Sequence, residues 1–335
     1  MSEIPKIIFP HLPKTGGTAL LYHFQVALGA ERVLTFGPHS RVRRFFSDRY
    51  QIEELDDEAK AQTCIIQGHG VDENTFPLLR DRQYKLMVVL RGAPGLVRSR
   101  FNQSSIGAKR RGGSRTPEQF WDNYADNAVS HAIVRMFPNF VDDPQASLGD
   151  RVISVLRKFD YVYTTEQLAA QSAAMMRFYG LPTDIAHRRV AGEKKLPLHL
   201  TDAEILARQH IDQDVFEKAN TVITGDGRSH NPFGFDAEGR ERAIAKISSP
   251  SDADLRRNCY DELARALCAN LCADAAMSKL ALEQDQVPVK DKAEFAKIFI
   301  RHYLKKSGSY GKIAQQKSVD RARSWMARAM KRVDA

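Results

Sequence analysis

The residues best suited to chemistry follow the first apolar run: His11-Leu12-Pro13-Lys14-Thr15-Gly16-Gly17-Thr18. The run before them, Lys6-Ile7-Ile8-Phe9, reads as a buried strand, and the stretch from Thr18 to Leu28 reads as a helix. A strand, a Gly-containing turn and a helix in direct succession aim backbone N–H groups and the helix dipole at an anion. Gly16 and Gly17 permit close backbone approach to phosphate oxygens. Thr15 and Thr18 add hydroxyl donors, and Lys14 supplies a point charge. A nucleoside-triphosphate loop places its lysine after the glycines, as Gly-x-x-x-x-Gly-Lys-Ser/Thr. Here the lysine precedes them and no first glycine stands at the expected place, so a kinase or ATPase reading loses most of its support. A plain strand-to-helix turn is the reading that a lone glycine pair would leave in front.

A second anion site is spelled out by Val89-Leu90-Arg91-Gly92-Ala93-Pro94-Gly95-Leu96-Val97-Arg98-Ser99. An arginine at a strand end and a serine eight residues later converge when a turn and a helix start separate them. Arginine offers a forked donor set to phosphate, and serine adds a hydroxyl. Taken alone, the pair reads equally as an exposed arginine and a helix-surface serine. His69, in Ile65-Ile66-Gln67-Gly68-His69-Gly70, follows another strand. Histidine accepts a proton near neutral pH without large tuning, which a hydroxyl nucleophile needs in order to attack. A loop histidine held by ordinary hydrogen bonds is the alternative.

The run His11 to Leu20 resembles the 5′-phosphosulfate loop of the carbohydrate-type sulfotransferases that use 3′-phosphoadenosine 5′-phosphosulfate (PAPS). It is most similar to the branch holding the heparan-sulfate 2-O-sulfotransferases and their bacterial relatives. That pattern reads His-Ile-Pro-Lys-Thr-Gly-Gly-Thr-Ser-Leu, and the chain departs from it at Leu12 and Ala19. The family's 3′-phosphate motif, Arg-Asp-Pro with a serine eight positions on, is matched by Arg91 and Ser99, with Gly92-Ala93 in place of Asp-Pro and Leu96 where arginine is frequent. The resemblance implies PAPS as co-substrate, with Lys14 on the 5′-phosphosulfate and Arg91 and Ser99 on the 3′-phosphate. It implies His69 as general base and His11 as the second choice, better suited to orienting the loop. The branch carries another histidine where this chain has Gln67, so a two-histidine arrangement is not expected. The implied reaction is in-line displacement of a sulfuryl group onto the hydroxyl of a glycan or glycoconjugate. The transferred group carries less negative charge than a γ-phosphoryl group, so no metal is expected. The strand ending Thr164-Thr165-Glu166-Gln167 resembles the family's Thr-Glu-Arg strand end, with Gln167 for arginine and a structural role.

The elements that must position these residues are short apolar runs: Lys6–Phe9, Arg32–Phe36, Thr63–Gln67, Lys85–Leu90 and Phe159–Thr164. Apolar on both faces, they suit a parallel sheet covered by helices, and the intervening helical patterns argue for a three-layer α/β domain. The resemblance narrows this to the P-loop-like sulfotransferase fold over residues 1–235. Thr116 to Phe137 reads as one helix starting at Thr116-Pro117-Glu118-Gln119, and Thr201-Asp202-Ala203-Glu204 as a capping box. Gly180-Leu181-Pro182 ends a helix, and Ala108–Arg115 and Val190–His199 read as loops. Lys109, Arg110, Arg111 and Arg115 either grip an acidic acceptor or form a solvated loop. Asp126-Asn127 through Arg135 resembles a helix that borders the family's acceptor cleft, with Arg135 either in a direct role there or a solvated helix arginine, and Lys194 and Lys195 read as a solvated loop where the family covers the nucleotide.

Residues 236–335 read as a helical C-terminal extension, Ala- and Leu-rich from Asp252 to Glu283. Its last helix places Trp325, Met326, Ala329, Met330 and Val333 on one side and Arg and Lys on the other. That helix either packs on the catalytic domain or contacts a partner or an anionic membrane surface. A net charge of +9 favours anionic partners in general but selects none. No aromatic-basic interleaving points to nucleic acid, and a non-catalytic nucleotide or polyanion binder stays as an alternative. Four cysteines (Cys64, Cys259, Cys268, Cys272) without paired spacing suggest neither a disulfide scaffold nor a zinc site. No apolar signal region and no run long enough to span a bilayer is evident, so the expected location is the cytoplasm.

Overall fold

The computed structural model describes residues 5–36, 63–69, 71–73, 75, 84–110, 113–185, 198–222 and 226–247. All of them fall within one compact unit formed by residues 1–37 and 51–249. The expectations for Lys194, Lys195, Arg111, most of the Val190–His199 loop, the last three cysteines and the helices beyond residue 247 lie outside the described residues.

Five strands form one sheet: β1 (Ile7–Pro10), β2 (Val33–Phe36), β3 (Ile65–Gly68), β4 (Lys85–Leu90) and β5 (Tyr161–Thr164). Their order is β2-β3-β1-β4-β5, and every pairing is parallel. Each strand falls within two residues of the apolar run that predicts it. The reason is composition: β1 and β3 are buried at all four positions, which only helix-covered parallel strands require.

Alternate side chains feed two cores. Ile7, Phe9, Ile65, Met87, Val89, Tyr161 and Tyr163 pack with helix α1 (Gly17–Leu28) through Leu20 and Phe24, and with α6 (Leu168–Phe178) through Met175 and Met176. Ile8, Ile66, Leu86, Val88, Leu90 and Val162 pack on the other face. There they meet Leu96 of α2 (Ala93–Arg110), Ile133 of α4 (Ala128–Met136), Val152 and Val155 of α5 (Leu148–Leu156), Val215 of α7 (Asp202–Ala219) and Ala243 of α8 (Ala237–Lys246). The result is a three-layer α/β arrangement. Each fully buried Leu, Phe or Val stabilises it by about 1.5–3 kcal/mol. None of the described helices is long and apolar enough to cross a membrane.

Two expectations about helix extent are corrected. The predicted helix from Thr116 to Phe137 is two helices, α3 (Pro117–Asp122) and α4, separated by Asn123–Asn127. Asn127 takes a left-handed conformation (φ 43°), and its side-chain oxygen accepts the Ile211 N–H at 3.0 Å. In return, the Asp212 carboxylate of α7 accepts the N–H groups of Val129 and Ser130 at 2.9 and 2.8 Å, and Gln209 accepts that of Ala128 at 3.2 Å. A tertiary cap from α7 therefore starts α4, and α7 itself kinks at Gln209. The predicted loop Ala108–Arg115 is helical through Arg110, since Ala, Lys and Arg are good helix formers. The chain turns off where the Gly113 N–H returns to the Ala108 carbonyl at 3.0 Å. The capping boxes at Thr116 and Thr201 form as expected, and Gly180 (φ 68°) follows α6.

Candidate active site

In a parallel sheet, ligands are met at the carboxyl ends of the strands. That edge gathers the loop His11–Gly16 after β1, His69 after β3, Arg91 after β4 and Thr165-Glu166-Gln167 after β5. Lys14, Thr15, Gly16, His69 and Arg91 thus follow strand ends at one edge, and Ser99 lies farther along α2.

The loop after β1 is shaped by two left-handed residues. Gly16 has φ 84° and caps α1, a conformation that glycine takes without steric cost. Lys14 has φ 72°, which costs a residue with a Cβ about 1–2 kcal/mol. Such strain persists where surrounding contacts over-determine it. Thr15 is fully buried, and its hydroxyl donates to the Leu12 carbonyl at 2.8 Å. This corrects the expectation that Thr15 adds a donor for an anion: its proton closes the loop on itself. Thr18 is exposed on the first turn of α1, where its hydroxyl suits the expected role. Gly16 packs beside Thr165, since a Cβ built there would lie 3.6 Å from the threonine methyl. No side chain caps α1, and no acidic residue sits in its first turn. Helix α6, which starts at the same edge, shares both features, whereas Thr116, Ser147, Thr201 and Asp236 cap α3, α5, α7 and α8 with their own side chains.

Arg91 ties the second motif to the first. Its Nη1 donates to the Lys14 carbonyl at 3.0 Å. Its Nε crosses α2 at Gly95, where a Cβ would lie 3.3 Å away. Ser99 stands four residues beyond Gly95 and so shares that helix face, partly exposed. The start of α2 is closed by the protein itself. The Gly92 N–H donates to Glu166 Oε1 at 3.3 Å, and the Ala93 N–H donates to Gln213 Oε1 at 3.0 Å. Sequence reasoning missed both partners. Glu166 is visible as a carboxylate at a strand end, whereas nothing local marks Gln213.

His69 sits against His11. The two rings stack with centroids 4.4 Å apart and planes at 19°. His69 Nδ1 lies 2.5 Å from the His11 carbonyl oxygen. A carbonyl only accepts, so Nδ1 carries the hydrogen and Nε2 is the basic nitrogen. The arrangement corrects the expectation of no paired histidines: Gln67 is buried in β3, and the second ring comes from another loop. Burial, followed by the charges of His69 and Lys14, pushes His11 down to about 3, so it is neutral at physiological pH. A neutral, partly buried ring fits the expected loop-orienting role better than the base. Gly17 makes room for it, since a Cβ at that position would lie 2.3 Å from the imidazole.

The remaining candidates fall away from this edge or serve packing. Arg115 donates to Ser104 Oγ at 2.8 Å and covers the Phe120 ring, which makes it a structural arginine and not a free grip. Lys109 and Arg135 are exposed on helix surfaces, and Cys64 is buried beside β3. The backbone N–H of Gln167 donates to Thr164 Oγ1 at 3.3 Å, turning the chain into α6. Among the described residues, no three His, Cys, Asp or Glu side chains come together in a way that could hold a metal ion. No family model, curated protein or solved structure matches the chain.

Proposed function

We propose that the chain is a sulfotransferase that moves a sulfuryl group from PAPS to an acceptor hydroxyl on a carbohydrate or glycoconjugate. The observation that carries this reading is the 3.0 Å bond from Arg91 to the Lys14 carbonyl. It brings together the loop after β1 and the end of β4, 77 residues apart in sequence, which supports a single ligand meeting both. The uncapped α1 start supports the same reading, because its N–H groups and dipole favour an anion.

In this reading the amides of the Gly16-Gly17 turn, the Thr18 hydroxyl and the Lys14 ammonium hold the 5′-phosphosulfate. Arg91 and Ser99 hold the 3′-phosphate through side chains. His69 accepts the acceptor's proton at Nε2 as the acceptor oxygen bonds to sulfur. The bond from sulfur to the bridging oxygen breaks, and Lys14 stabilises the charge that grows on the departing adenosine 3′,5′-bisphosphate. As in phosphoryl transfer, the protein's work is positioning and charge stabilisation.

The test is transfer from radiolabelled PAPS to a panel of glycan, lipid-linked sugar, small-molecule and tyrosyl acceptors. Both Lys14→Ala and His69→Ala are expected to lose transfer, the latter by about 10²–10⁴-fold, the span general-base catalysis contributes. His69→Ala should still bind adenosine 3′,5′-bisphosphate in calorimetry. Full transfer by His69→Ala would remove it as the base.

A further inference from the structure

The Lys14 main chain is held from outside its own loop. Its backbone is left-handed, with φ 72°. A residue with a Cβ stays in that conformation where surrounding contacts over-determine it. Among the described residues, the Lys14 main chain makes one hydrogen bond: its carbonyl accepts Arg91 Nη1 at 3.0 Å. The Thr15 hydroxyl closes the turn onto Leu12 and does not touch that carbonyl. The Arg91 guanidinium lies against the first turn of α2, where a Cβ at Gly95 would be 3.3 Å from Nε and 3.9 Å from Cζ. Its remaining N–H groups have no partner among the described residues. We infer that Arg91 is a positioning residue for Lys14 in addition to a ligand of the 3′-phosphate: its bond to the Lys14 carbonyl keeps the lysine's main chain left-handed, and an anion on the remaining N–H groups strengthens that hold. The inference rests on the reading of the two motifs as one donor site, and it adds a coupling between its two ends.

The geometry of arginine makes this possible. A guanidinium presents its donors in a rigid planar fork, so one group serves a carbonyl and a phosphate at the same time. A phosphate on the outer donors pins the plane and keeps Nη1 on the Lys14 carbonyl. The backbone angles of Lys14 set the direction in which its side chain leaves the loop, so the hold on the carbonyl also aims the ammonium. Coupling of this kind is reciprocal: an ordered Lys14 loop raises affinity for the 3′-phosphate as much as the 3′-phosphate orders the loop.

The experiment reads the Lys14–Thr15 peptide directly. It is the only Lys-Thr pair in the chain. Protein carrying ¹³C-lysine and ¹⁵N-threonine therefore gives one threonine amide signal linked to a lysine carbonyl, and the same link reads the Lys14 Cα and Cβ shifts, which separate a left-handed backbone from the others. Without nucleotide, the wild type is expected to show left-handed shifts. Arg91→Met keeps a stem to lie over Gly95 but has no donor, and its shifts should move away from the left-handed values or split. Ser99→Ala removes the other proposed ligand of the 3′-phosphate and should leave the signal as in the wild type. Saturating adenosine 3′-monophosphate should slow hydrogen exchange of the Thr15 amide a few-fold in the wild type. In transfer assays, Ser99→Ala should raise KM for PAPS with kcat nearly unchanged. Arg91→Met should raise KM and also lower kcat at saturating PAPS about tenfold or more, a share of what one stabiliser of transition-state charge supplies. Wild-type shifts in Arg91→Met, or a wild-type kcat in that variant, would overturn the inference. So would a wild type without left-handed shifts, or Thr15 exchange unchanged by bound adenosine 3′-monophosphate, and neither of these needs a variant that folds. Lys14 shifts that depend on Arg91 in a protein that binds neither adenosine 3′-monophosphate nor PAPS uphold the hold on Lys14 and sink the transferase reading instead.

Discussion

Of the helices that begin at this edge of the sheet, α1 and α2 treat their first amides in opposite ways. At α2 the N–H groups of Gly92 and Ala93 are taken by Glu166 and Gln213, side chains from β5's loop and from α7. At α1 no side chain caps the helix, no acid occupies the first turn, and a lysine stands beside the turn in a strained conformation. One helix start is satisfied by the protein itself and its neighbour is left open, both next to the same arginine. In the proposed reading, backbone and dipole serve one anion at α1 and side chains alone serve a second at α2, so the two ends of a bisphosphorylated ligand would meet different partners.

The sharpest way to break the comparison is Lys14. Lys14→Ala should lower transfer by about 10²–10³-fold, the loss typical of removing one stabiliser of transition-state charge. Lys14→Gly should lose as much transfer yet unfold at an equal or higher temperature, because glycine takes φ 72° without strain. Parallel losses of stability and activity in both variants would mean that the lysine shapes the loop and does not act on the anion.

Arg91→Ala comes next, since it touches both sites. Affinity for adenosine 3′,5′-bisphosphate should fall about 10- to 100-fold by calorimetry, in line with charged hydrogen bonds worth about 1.5–3 kcal/mol. Adenosine 5′-monophosphate should lose less. An equal loss for both ligands would place Arg91 at the 5′ end only.

Glu166→Gln sharpens the contrast from the α2 side. Removing a carboxylate beside Gly92 takes away a negative charge next to the position proposed for the second anion. Bisphosphate affinity should then rise a few-fold, equivalent to about 0.3–1 kcal/mol for a charge at a helix start. A fall would make Glu166 a ligand-orienting group.

The smallest effect concerns stability and pH. Native His11 is held neutral down to about 3, whereas the unfolded chain's histidine takes its proton near 6.5. Between those values the unfolded state binds the extra proton, so stability contributed by neutral His11 is present above about pH 6.5 and is lost as pH falls. His11→Phe has no such group. Its melting temperature should gain on the wild type's steadily from pH 6.5 toward pH 4, and a constant offset would contradict the shift.

The sheet and the loop after β1 were legible because their signals are local. Ile7-Ile8-Phe9 is apolar on both faces, and Lys14 to Thr18 sets a lysine, two threonines and the turn's two glycines in five consecutive residues. What escaped depends on distant partners. The break before α4 needs Asp212 of α7, the closed start of α2 needs Gln213, and the histidine pair joins residues 58 apart. Thr15 failed differently. Its residue type announces a hydroxyl donor, but whether that hydroxyl faces a ligand or its own loop is a matter of backbone geometry that spacing does not encode.

The most direct test of the divided edge is calorimetric titration of the wild-type chain with adenosine 3′,5′-bisphosphate, the 5′- and 3′-monophosphates, and magnesium ATP. The account predicts that the bisphosphate binds at least about tenfold tighter than either monophosphate, a difference of about 1.4 kcal/mol. It also predicts that the bisphosphate outcompetes ATP without any requirement for magnesium. Equal affinities for the bisphosphate and 5′-monophosphate, or tighter binding of magnesium ATP, would contradict it.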